Sequence, residues 1–203
     1  MNIANFNLPP VAVPAFMLVT LTSIVLLMGR SWRWMIAALA VQYVGVFILS
    51  SFSWPLEMAI VKLVAGWMAG ATLGVGMAYA RGSWQVEEQL RASGRILRLL
   101  VALLIGLVIY SSAPRFQEWL PDTGMEAILG GMILFGMGLL HLGFSGHPFR
   151  VITGLLTILS GFEILYASLE VSVLVAGLLA AVNLGLALAC VFIMIAPSLE
   201  PIE

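Results

Sequence analysis

Seven long apolar runs separated by short polar breaks organise the chain, at residues 10–29, 32–52, 54–80, 96–113, 127–146, 149–169 and 171–196. Each is close to the ~20 residues a helix needs to cross a hydrocarbon core about 30 Å thick. No run alternates apolar and polar positions with period two, so the pattern predicts helices and not the strands of a barrel. Lipid offers the backbone no hydrogen-bond partner, which again selects helices that satisfy themselves. The expectation is an all-α integral membrane protein, a bundle of about seven transmembrane helices forming one domain over residues 1–203. Residues 1–95 form a first three-helix unit with a loop at 81–95, residues 96–126 a linker helix and outer loop, and residues 127–203 a second three-helix unit.

Composition narrows the class further. Hydrophobic residues make up 62% of the chain, charged residues 9%, and the mean hydropathy is +1.08, whereas a soluble domain is ~25% charged. A net charge of −1 offers no basic surface to nucleic acid. Cys190 is the one cysteine and lies in an apolar run, which excludes an internal disulfide and a cysteine-only metal site. The opening MNIANFNLPP has neither a basic stretch nor a small-residue cleavage pattern, so the first run is expected to stay in the mature protein.

Orientation follows from the arginines. Alternating the loops from side to side gathers Arg30, Arg33, Arg81, Arg91, Arg95, Arg98 and Arg150 and leaves Arg115 opposite. The positive-inside rule then predicts an outside N-terminus, a cytoplasmic C-terminus and residence in the cytoplasmic membrane. The stretch from Arg81 to Arg95 mixes both charges with Trp84 and Leu90, which suits an interfacial helix, a docking surface or an ordinary basic loop. On the other side, Trp119 in residues 114–126 reads as an interfacial anchor. His147 before Pro148 reads as a turn residue, and Glu57 as a solvated carboxylate at a helix start.

Lys62 and Glu163 stand out because each interrupts an apolar run. An ionisable group at the centre of a spanning helix costs roughly 2.5–3.5 kcal/mol on insertion scales and therefore needs a partner or a wet cavity. Both fall in the outer half of their spans, so the third and sixth spans can bring them to one depth, either as a fixed ion pair that locks two helices or as a step in a proton relay. Gln42, His141 and Asn183 fall near mid-span. Gln42 and Asn183 read as hydrogen-bond links between helices, and His141 as a candidate proton carrier beside Glu163 and Lys62. Two small-residue stripes, Gly66, Gly70 and Gly74 in span three and Gly177, Ala181, Gly185 and Ala189 in span seven, predict close helix packing. The two histidines, His141 and His147, are poorly spaced to sandwich a haem iron, and no cofactor or metal is expected.

The first three and last three spans share an orientation, and Val44-Gly45-Val46-Phe47-Ile48-Leu49 can be laid over Ser160-Gly161-Phe162-Glu163-Ile164-Leu165. That overlay suggests a parallel internal repeat with the fourth span as linker.

Residues 133–195 run as a helix, a short turn ending at Arg150, a helix with Gly154-Leu155-Leu156, and Ala180-Ala181-Val182-Asn183-Leu184-Gly185-Leu186-Ala187. This third of the chain resembles the small three-helix membrane subunit of respiratory complex I, NuoK, and its longer relative HyfE of group-four membrane hydrogenases. The resemblance implies a subunit without a redox centre that packs beside antiporter-like and hydrogenase-like or complex I-like partners. In that family two membrane glutamates carry protons. The matching positions in this chain are Leu156 and Asn183, which do not titrate, with Glu163 two turns beyond Leu156 as a substitute for the first. Two other functions stay open: a small-solute or ion transporter acting alone, and a structural anchor of another respiratory or photosynthetic assembly. No nucleophile and base constellation points to a catalytic site.

Overall fold

A computed structural model describes residues 11–29, 31–80, 92–144 and 146–196. Among them the chain is all helical: α1 (Ala12–Met28), α2 (Trp32–Ser50), α3 (Leu56–Tyr79), α4 (Ala92–Trp119), α5 (Met125–Gly143), α6 (Pro148–Ala167) and α7 (Val173–Ile195). Helices α2 to α7 are each long and apolar enough to cross a membrane, and α1 is an apolar helix of 17 residues. The protein is a multi-pass helical membrane protein. Trp34 and Tyr79 toward one end and Trp119 toward the other are largely exposed, in keeping with aromatic side chains at the two interfaces.

Both ends of the bundle are tied by polar contacts. At the arginine end, Arg98 donates to Leu27 O at 3.3 Å and to Phe144 O at 3.2 Å. Arg150 donates to Gly29 O at 2.6 Å. These two side chains satisfy carbonyls left over where α1 and α5 finish. At the opposite end the turns after α2 and α6 meet, with Ser53 Oγ 3.4 Å from Ser168 Oγ and Trp54 Nε1 donating to Glu170 O at 3.1 Å. Arg33, Arg95, Arg98 and Arg150 sit toward the first end, and Arg115 lies near the far end of α4. Arg30, Arg81 and Arg91, and with them most of the loop containing Trp84 and Leu90, lie outside the described residues.

Glycines set the closest approaches. A Cβ on Gly138 would lie 2.8 Å from Gly154 O, and one on Gly161 would lie 2.5 Å from Gly131 O. So α5 and α6 touch backbone to backbone at two levels seven residues apart on each helix. Helix α3 packs on α7, where Gly76 makes room for Val191. Helix α4 lies against α5 and α1 and turns most of its surface outward.

Three boundaries differ from the pattern. Helix α4 continues through Pro114 to Trp119, so the loop expected from residue 114 shrinks to 120–124. The proline falls in the last two turns of α4, where little helix remains beyond the missing bond. Helix α5 stops at Gly143, so His141 is in its last turn and not near mid-span. His147 accepts from Phe149 N at 3.3 Å and caps α6 with Pro148 in the first turn.

Candidate functional site

Helices α2, α3, α6 and α7 converge on one charged centre. Lys62 on α3 and Glu163 on α6 form a salt bridge, at 4% and 1% exposure. Each therefore sits fully inside the bundle. By helix rise, Glu163 is about 6 Å from the end of α6 and Lys62 about 9 Å from the start of α3, so the two meet in the half nearer the Trp54 turn. Asn183 Nδ2 on α7 donates to Glu163 Oε1 at 3.5 Å. The ammonium of Lys62 also stands 5.2 Å from the centroid of the Tyr43 ring on α2, within the range of a cation–π contact. Tyr43 lies over Gly66, where any added Cβ would strike its ring. Gly66 is thus what lets Tyr43 fill the space beside Lys62.

A row of hydroxyls leads away from this centre along α6. Thr153, Thr157, Ser160 and Glu163 recur at spacings of four, three and three, all buried. Thr153 donates to Phe149 O at 2.8 Å, Thr157 to Thr153 O at 2.8 Å and Ser160 to Leu156 O at 2.9 Å. Their protons go to backbone carbonyls one turn back, which leaves oxygen lone pairs free to accept. Thr157 uses one, accepting from Gln42 Nε2 at 3.4 Å. Ser160 lies beside the Tyr43 hydroxyl. The buried oxygens Gln42 Oε1 and Asn183 Oδ1 have no hydrogen-bond partner among the described residues. In the other direction the centre is closed by an apolar cluster of Trp54, Met58 and Ala167, one turn past Glu163.

Lys62, Glu163 and Asn183 are thus brought together, while Gln42 bonds to Thr157, about 9 Å back along α6 from Glu163. His141 is not in the cluster: it packs on α6 at Gly154 near the arginine end, about 13 Å from Glu163 along the helix. It is buried, with Nε2 lacking a hydrogen-bond partner within the protein. The stripe on α3 divides, because Gly66 is filled by Tyr43, Gly74 meets Ile36 Cδ1 at 3.4 Å and Gly70 has nothing within 4 Å. The stripe of Gly177, Ala181, Gly185 and Ala189 faces outward, and α7 packs instead through Asn183, Ala187 and Cys190. Glu57 is exposed in the first turn of α3. Tyr43, Thr157 and Ser160 were not singled out by sequence, although the hydroxyl spacing on α6 is a helical period that ends on Glu163.

Among the described residues no three His, Cys, Asp or Glu side chains are grouped to hold a metal ion. Comparison with protein-family models, with curated proteins and with solved structures returns no match.

Proposed function

We propose that the chain is a non-catalytic membrane subunit of an energy-converting complex related to complex I or to group-four hydrogenases, and that Lys62, Glu163 and Asn183 form the ionisable station of a proton path. The carrying observation is the ion pair itself. Two opposite charges are held together and away from water inside the bundle, and charged groups at membrane depth mark ion and proton pathways. The hydroxyl row, with Gln42 and Tyr43 beside it, gives the station a polar approach from the arginine end, with His141 at that end of α6. Unpaired oxygens of Gln42 and Asn183 are sites at which water binds in a buried tract. The chain crosses the cytoplasmic membrane seven times with its N-terminus outside. The outward stripe of α7 receives a helix of an antiporter-like neighbour.

The test is a mild-detergent purification through a C-terminal tag, followed by mass spectrometry and by proton-flux measurement on the recovered assembly with Glu163 intact and with Glu163→Gln. Co-purifying antiporter-like and hydrogenase-like or iron–sulfur subunits, with flux lost in the variant, support the reading. An assembly that keeps full flux with Glu163→Gln sinks the relay and leaves a structural anchor. A second reading, an ion or small-solute transporter acting alone, is favoured by the similarity of α1–α3 to α5–α7, and recovery of an active protein free of partners selects it.

A further inference from the structure

We infer that α1–α3 and α5–α7 are two copies of one three-helix unit stacked side by side, like helix on like helix, and that the Lys62–Glu163 pair is the latch holding the copies together. Helix boundaries recur at a nearly constant offset: α2 begins at Trp32 and α6 at Pro148, α3 ends at Tyr79 and α7 at Ile195. The turns at 51–55 and 168–172 are of equal length. Glycine contacts repeat residue by residue. A Cβ on Gly45 would meet Val19, Leu18 and Ala15 O. A Cβ on Gly161 would meet Phe135, Leu134 and Gly131 O, the same three positions displaced by the same interval as the glycines. Within each copy, the first helix therefore crosses the second at the same point and in the same way.

The stacking is located by residues that touch their own counterparts. Trp54 bonds to Glu170, 116 positions later, which is the separation of Gly45 from Gly161. Ser53 meets Ser168 and Gln42 meets Thr157, each pair separated by 115 positions. Near-equivalent residues in contact at several levels are what side-by-side stacking of the two copies requires. The remaining helices comply, with α1 on α5 and α3 on α7, where Gly76 meets Val191, 115 positions later.

The latch follows from where the charges lie. Lys62 belongs to the first copy and Glu163 and Asn183 to the second, so the ion pair is made across the boundary and by neither copy alone. Three further polar contacts between the copies are neutral hydrogen bonds, and the Arg150 cap on Gly29 joins them at the arginine end. Removing the charges thus weakens the boundary at its strongest point in the half nearer the Trp54 turn while leaving each copy's internal glycine contacts intact.

The latch rests on the same ion pair as the proposed proton path, and the experiment therefore reads geometry without flux. Ser53→Cys and Ser168→Cys are introduced into the full chain with Cys190→Ser, and a protease site is placed in the loop at 81–91. Native membranes are treated with a mild thiol oxidant, cut at the new site and run on a gel without reductant. The two halves are expected to stay joined. Combining these changes with Lys62→Met and Glu163→Gln, which removes both charges and strands neither, is expected to slow the joining about tenfold, within the range by which directly coupled residues affect one another. Halves that never join overturn the stacking. Joining at an unchanged or faster rate in the double variant overturns the latch, and if flux is lost in that same variant the proton path still stands.

Discussion

Gly161→Ala tests the packing beneath the site with a single methyl group. Its Cβ would lie 2.5 Å from Gly131 O, 2.6 Å from Phe135 N and 3.0 Å from Leu134 Cβ, against 3.4–4 Å for ordinary contact. The first two obstacles are backbone and cannot rotate aside, so α5 and α6 must part by about 1 Å. Overpacking of this kind costs roughly 1–3 kcal/mol, while alanine recovers up to ~1 kcal/mol over glycine in helix propensity. With rigid obstacles the net is a loss of about 2 kcal/mol, or roughly 4–8 °C in Tm for a chain of this size. Gly70→Ala is the matched control, because a Cβ there meets nothing within 4 Å, and it should be neutral or stabilising by up to ~1 kcal/mol. Thermal unfolding in detergent, followed by tryptophan fluorescence, reads both. A Gly161→Ala protein as stable as the parent, or a Gly70→Ala protein that falls as far, refutes the backbone-to-backbone contact.

Other outcomes follow from the same contacts. Lys62→Met or Glu163→Gln singly should destabilise by about 3–5 kcal/mol, since each strands a buried charge, whereas the double change should recover most of the loss; denaturation of the three variants checks the cycle. Exchanging the charges, with Lys62→Glu and Glu163→Lys together, should retain the fold because Asn183 can offer its carbonyl oxygen to a lysine, yet abolish proton flux because the carboxylate leaves the hydroxyl row of α6. A swapped protein with full flux would contradict the proton path. Arg98→Ala removes two charge-assisted bonds to Leu27 O and Phe144 O, and a loss of roughly 2–4 kcal/mol is expected from bonds of this kind. Melting of that variant, beside Arg115→Ala as an exposed control, measures it.

Helix number and approximate limits were legible because lipid-length apolar runs admit few other structures, and Lys62 and Glu163 were legible because charge is rare inside such runs. Their meeting was also open to inference, since both lie in the same half of their spans. Facing was not legible. A helix that is apolar all round gives no contrast between core and outside, so Gly177, Ala181, Gly185 and Ala189 read as packed although they face outward. The pairing of Gly131 and Gly138 with Gly161 and Gly154 was hidden for a related reason: their spacing is seven residues, and the four-residue spacing of Gly66, Gly70 and Gly74 drew notice instead. Pro114 misled because a proline usually ends a helix, and only its place near the interface lets α4 run on to Trp119.

The two copies are alike in backbone and unlike in chemistry, and that difference bears on mechanism. Displacing Lys62, Glu163 and Asn183 by the interval that separates Gly45 from Gly161 leads to Leu178, Phe47 and Trp67. A repeat alike in chemistry as well as backbone would carry a second charged centre at these displaced positions. The displaced positions carry no charge, and Leu178 and Trp67 there are exposed toward the surroundings of the bundle. Charge placed there would face lipid, where it is costly, whereas Lys62 and Glu163 are enclosed by α2, α3, α6 and α7. Among the described residues the ion pair therefore lies only at the enclosed place, and the displaced positions offer no second one. If protons pass through Glu163, its replacement by glutamine must abolish the flux, because a residual half would require a second station that the other copy does not carry.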